Sequence, residues 1–91
     1  MKEINELKIK SIKKIDQIKS YGILHSEYAK LEIIFENDFI CDIVISNWYT
    51  QQSQQLEEFK KELSKIAPIL YEQGYYVIIN QNVIDKLFDA I

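Results

Sequence analysis

The sequence predicts a small single domain over residues 1–91, of α/β class at the border with α+β, in the order α-β-β-α-β-α. Helices are expected to pack on a mixed sheet of three strands, or four. Three observations carry this expectation. Ala29 to Ile45 alternates apolar and polar residues around a short polar loop, the pattern of a hairpin. Leu56, Phe59, Leu63, Ile66 and Leu70 recur three and four apart, the pattern of an amphipathic helix. The short apolar run Tyr75 to Asn80 lies between Gly74 and a further helical pattern.

In chain order, Ile4, Leu7, Ser11, Ile15 and Ile18 fall within a narrow arc at 100° per residue, with Ile12 at its edge and Ile9 on the opposite side. This spacing predicts a first helix over Ile4 to Ile18, closed by Ser20, Tyr21 and Gly22. Ile23 to Ser26 is a candidate short strand. In the hairpin, a three-residue loop at Glu36, Asn37 and Asp38 sets Phe35 opposite Phe39, Ile33 opposite Cys41, Leu31 opposite Ile43 and Ala29 opposite Ile45, so that one face is apolar throughout. A two-residue loop would mix the faces, and the three-residue register is preferred. It opposes Glu32 to Asp42 on the other face. That face also carries Ile34, Ile40 and Val44, which favours helices on both sides of the sheet.

The second helix is expected from about Gln51 to Gln73, kinked or broken near Ala67 because Pro68 lacks a donor, and capped by Gly74. Tyr75 to Asn80, nearly all apolar, reads as a central strand parallel to the second hairpin strand, joined to it by a right-handed crossover. Asn82 is the expected cap of a last helix carrying Val83, Ile84, Leu87, Phe88 and Ile91 on one face.

Composition narrows the functional classes. With 11 Lys, no Arg and a net charge of −3 in 91 residues, recognition by guanidinium groups is excluded. The one cysteine, Cys41, and the one histidine, His25, rule out an intramolecular disulfide and a zinc site built from Cys and His. Cys41 reads as a small core hydrophobe and His25 as a loop or strand-edge residue. Glycine occurs at 22 and 74 alone, so no phosphate-cradling loop exists. No apolar run approaches the roughly 20 residues that span a bilayer, and the first twenty residues are too lysine-rich for a signal peptide, so a cytoplasmic protein is expected.

If Ile23 to Ser26 is a strand, the order becomes helix, three-strand meander, helix, strand. In element order this resembles the core of the restriction-endonuclease-like nucleases of the PD-(D/E)xK type. The resemblance implies a metal-holding carboxylate at Glu27 or Glu32 and a second at Asp42, with a lysine two residues further on. Val44 stands in that place, so the resemblance implies a relative without a complete catalytic set.

The expected function is therefore non-catalytic: binding of a macromolecular partner, with protein favoured, and with no cofactor, no metal, no catalytic residues and no membrane. The size and composition fit an accessory or host-defence inhibitor protein of a virus or mobile element. Candidate partner-binding residues are Trp48 and Tyr49, which follow the second hairpin strand, and Glu36 and Asp38 at the acidic hairpin tip. The alternative is nucleic-acid binding through Lys10, Lys13 and Lys14, or a vestigial nuclease domain built around Asp42. Residues 1–30 carry a balance of +3 and residues 31–91 one of −6. A homodimer is compatible with either reading.

Overall fold

The computed structural model describes residues 3–21, 25–46 and 51–91. Its elements are β1 (Asn5–Tyr21), β2 (His25–Phe35), β3 (Ile40–Ser46), α1 (Gln52–Glu72), β4 (Tyr75–Ile78) and α2 (Gln81–Ala90). The class is α/β as expected, and the order begins β-β-β rather than α-β-β. A four-stranded mixed sheet runs β3-β2-β1-β4, with β1 antiparallel to β2, β2 antiparallel to β3, and β4 parallel to β1. At ~3.3 Å per residue a 17-residue strand spans roughly 55 Å. β1 thus sets the long axis of a molecule measuring 53 × 22 × 21 Å.

The first helix is corrected to a strand. Residues 4–18 show helical spacing because β1 is irregular at two places, between Ile9 and Ser11 and between Lys14 and Asp16, where its register against β2 slips by one. Each extra residue converts the strand's period of two into a local step of three. Leu7 and Ile9 face the core, and after the first slip Ile12 returns to that face opposite Ile33. Ile12, Ile15 and Ile18 consequently recur every third residue and, with Ile4 and Leu7, imitate a helical stripe from which the buried Ile9 is left out.

The hairpin register matches expectation pair for pair: Ile33 opposite Cys41, Leu31 opposite Ile43, Ala29 opposite Ile45, and Glu32 opposite Asp42. The Phe35 N–H donates to the Phe39 carbonyl at 2.9 Å, and Asp38 takes φ 69°, the left-handed residue that closes a three-residue hairpin loop. Asn37 Oδ1 accepts from the Phe39 N–H at 3.1 Å and fixes the turn.

Both helices lie on one face of the sheet, not on both. Phe59, Leu63 and Leu70 of α1 and Val83 and Leu87 of α2 share a single buried cluster with Leu7, Ile9, Ala29, Leu31, Ile33, Phe35, Ile43 and Ile45. The opposite face stays open, with Ile40 and Val44 exposed. Lys13, Glu32 and Asp42 form one cross-strand row there, so the like-charged pair has a cation beside it.

α1 is continuous through Pro68, ending at Glu72 with Gln73 as its C-cap, so the expected break near Ala67 does not occur. Gly74 at φ 96° terminates it, its N–H donating to the Tyr71 carbonyl at 3.0 Å. α1 crosses the helical face from the end of β3, where Glu58 Oε2 accepts from the Ser46 N–H at 2.7 Å, to the far edge of the sheet. β4 is therefore a four-residue edge strand beside β1, which corrects the expected central strand Tyr75 to Asn80. The cap of α2 is Asn80, not Asn82: its Oδ1 accepts from the Val83 N–H at 3.1 Å.

Candidate functional site

Where the C-terminal half of α1 passes over β4, an open groove of about 660 Å³ runs along the sheet edge. Its α1 wall is Leu63, Ser64, Ala67, Pro68, Tyr71 and Glu72, and its sheet wall is Tyr75, Tyr76, Val77 and Ile79. The helical period explains the α1 wall. Leu63 and Leu70 point into the core, and the flank beside them carries a serine, an alanine and a proline, side chains too small to fill the space. Pro68 also removes the donor that the Ser64 carbonyl would receive four residues on, leaving an unclosed rung in the helix ladder against the groove.

The sheet wall supplies backbone groups. The Asn5 N–H donates to the Gly74 carbonyl at 2.9 Å, and Asn5 aligns with Tyr75 in the parallel ladder. In a parallel pair alternate residues of one strand aim both backbone groups at the neighbour. Gly74, Tyr76 and Ile78 thus face β1, while the N–H and C=O of Tyr75 and Val77 point outward along the free edge. The side chains of Tyr75 and Val77 lie on the helical face and are half-buried against the core. Two of the large hydrophobic side chains left exposed line this groove: Tyr71 at 58% and Tyr76 at 43%.

Charge is sparse at this edge. β4 has no ionisable group except its tyrosines, and Tyr76, on the open face, donates its hydroxyl to Glu6 Oε1 at 3.1 Å. That hydrogen bond, then burial and the carboxylate's charge, holds the Tyr76 hydroxyl above the usual tyrosine pKa, so it stays protonated.

The other free edges are protected. Beyond Lys8, the outer edge of β1 carries two bulges and Lys10, Lys13, Lys14 and Lys19, and Lys86 donates to the Lys10 carbonyl at 3.1 Å. β3 carries Asp42 between the exposed Ile40 and Val44. Lysine, bulges and inserted charge are the usual means of blocking strand addition at an edge. β4 has none of them.

The sequence-derived candidates fall elsewhere. Trp48 and Tyr49 lie outside the described residues. Glu36 and Asp38 are exposed on the β2–β3 turn and do not line the groove. Lys13 and Lys14 do not form one patch, because consecutive strand residues take opposite faces: Lys13 opposes Glu32 on the open face and Lys14 opposes Leu31 on the other. Of the two candidate first carboxylates, Glu27 stands on the opposite face of the sheet from Asp42, whereas Glu32 lies directly opposite Asp42 on the open face; the leading helix that the nuclease resemblance requires is β1. Among the described residues no group of three or more His, Cys, Asp or Glu is placed to hold a metal ion. Also among them, no helix is long and apolar enough to cross a membrane. Cys41 packs at the margin of the core, where burial first and the charge of Asp42 second push its thiol up to about 11.

Comparison with protein-family models, curated proteins and solved structures finds no match to this chain.

Proposed function

We propose that this chain is a non-catalytic protein-binding domain that takes an extended segment of a partner as a fifth strand on β4, with the segment's side chains seated in the α1/β4 groove. The observation that carries this reading is the coincidence of outward Tyr75 and Val77 backbone groups with an uncharged edge and an apolar groove beside it. In strand addition the main chain supplies affinity and pockets for alternate side chains supply selectivity. The groove volume and its apolar, aromatic lining suit such side chains. Protein is favoured over nucleic acid because the lysines of β1 are divided between two faces, and Lys19 is paired with Glu27 at 3.5 Å.

The test is photo-cross-linking in cells from a reactive residue replacing Tyr71, compared with one replacing Gln54 near the opposite end of α1. Protein adducts are expected at 71 and not at 54. They should disappear in the Val77→Pro background, where the outward N–H is removed and the ladder to β1 is kept. No adducts at 71, equal adducts at both positions, or adducts indifferent to Val77→Pro would overturn the reading.

A further inference from the structure

Resting on that reading of the β4 edge, we propose that its occupant is the β4 strand of a second copy of this chain, paired antiparallel about a two-fold axis at Tyr76. The backbone geometry is self-complementary. Tyr75 and Val77 both aim their N–H and C=O outward, and antiparallel pairing of Tyr75 with Val77 of the second copy repeats itself at the symmetry mate. Each of these pairs exchanges both N–H···O=C bonds. All outward donors and acceptors of the two residues are then used. A one-residue slip would bring the outward groups of one copy against residues whose groups face β1.

The side chains agree with this register. On the helical face Tyr75 meets Val77 of the second copy, extending the apolar groove wall. On the open face Tyr76 meets its own symmetry mate as the close, non-hydrogen-bonded pair. The two α1 helices then run antiparallel over the junction. Exposed Tyr71 borders it, so Tyr71 and Tyr76, the exposed aromatic groups lining this groove, sit at one seam. Charge follows the same symmetry. Glu72 marks one end of the groove, while Lys60 and Lys61 lie about a turn beyond Ser64 at the other. Antiparallel docking therefore turns the acidic end of each copy toward the basic end of its mate. The product is a continuous sheet, β3-β2-β1-β4-β4-β1-β2-β3, in which the uncharged edge is closed and the aspartate-bearing β3 edges are outermost.

Two measurements decide it. In sedimentation equilibrium up to about 0.5 mM, which reaches the weak range of specific association, the wild-type chain is expected to be dimeric. Tyr76→Lys should be monomeric, because two ammonium groups meet at the axis in the dimer whereas in the monomer each has Glu6 beside it. Its circular dichroism should match wild type. In a Cys41→Ala background, Tyr76→Cys should oxidise rapidly to a disulfide-linked dimer. The ~4.5 Å Cα separation of a non-hydrogen-bonded pair lies within disulfide range. Val77→Cys, whose opposite residue is Tyr75, should not. A monomeric wild type, or equal oxidation at 76 and 77, would overturn self-pairing. If the chain is monomeric but Val77-dependent cross-links from position 71 persist, the strand belongs to another protein and only the self-pairing is lost. If those cross-links are absent as well, the protein-binding reading fails with it.

Discussion

Replacing Ile9 and Ile15 separately by alanine measures what β1 is. A helix over residues 4–18 puts Ile15 on the buried arc and Ile9 on the exposed side. The bulged strand reverses them, leaving Ile9 at 2% and Ile15 at 42% exposure. Ile→Ala removes three carbons, worth ~0.8 kcal/mol each when fully buried, or about 2.4 kcal/mol of transfer free energy. Ile9 is enclosed by the core cluster and lies opposite the buried Phe35, so the vacated space cannot collapse freely. The cavity term brings the expected loss to ~3–4 kcal/mol. At Ile15 the side chain sits in the second bulge and is already wet, so the expected loss is below about 1 kcal/mol, set mainly by strand propensity. Urea unfolding followed by far-ultraviolet circular dichroism reads both as midpoint shifts at common slope. A 91-residue domain should also lose at least 10 °C in Tm for Ile9→Ala. Equal losses, or a larger loss at Ile15, would refute the strand assignment and the register that places every residue of β1.

Three further outcomes follow from individual positions. Gly74→Ala should cost ~1–2 kcal/mol in the same urea assay, since φ 96° is unfavourable for any residue with a Cβ; a change under about 0.3 kcal/mol would mean that the α1 terminus is formed differently. Cys41 should react slowly with iodoacetamide near pH 8 and accelerate toward pH 11, because the folded thiol titrates at about 11 against an ordinary 9.0; full reactivity at pH 8 would contradict its burial. The raised value also means that the unfolded chain ionises first, so the stability contributed by the neutral thiol is complete below pH 9 and is lost as pH rises through about 11. Incubation with Mg²⁺ or Mn²⁺ should leave DNA and RNA intact, and metal-dependent cleavage abolished by Asp42→Ala would restore the nuclease reading.

The parts of the fold legible in the sequence are those decided within a few residues. The β2–β3 register could be read because Phe35, Phe39, Ile33 and Cys41 sit close on either side of a three-residue turn, and a slip of one mixes apolar with charged residues. α1 was legible because its stripe from Leu56 to Leu70 has a single period. β1 was not, because the bulges at Lys10 and Ile15 depend on what lies opposite them in β2, and a local spacing of three is read as helix. Leu7-Lys8-Ile9-Lys10 does alternate strictly, and that short stretch was the available signal. The groove was illegible for a different reason. An apolar run such as Tyr75 to Ile79 implies cover on both faces, whereas here the helical face is only partly covered and the strand lies at an edge. Only the path of α1 from β3 across the sheet to β4 creates that arrangement. In the sequence Pro68 points only to a kink or break, and nothing local marks Ser64, Ala67 and Pro68 as an unpacked flank.

The contrast among edges gives the β4 site its weight. Strand edges attract other strands whatever their sequence, because the unpaired N–H and C=O groups are common to all of them. This chain invests heavily in preventing that along β1, where the residues beyond Lys8 carry four lysines, two register breaks and a helix lysine bonded to the main chain. Protecting the edge is a role for those lysines that needs no partner. The same physics applied to β4 predicts association unless something blocks it, and among the described residues the blocking devices are absent from that edge alone. A strand of Tyr-Tyr-Val-Ile beside an apolar groove does not gain enough from folding to explain its exposure, since Tyr76 contributes one surface hydrogen bond to Glu6 and Tyr71 stands mostly in water. What these residues do have in common is their position around one open ladder, where a further strand would remove the ladder's free groups and the aromatic surface from water in a single step.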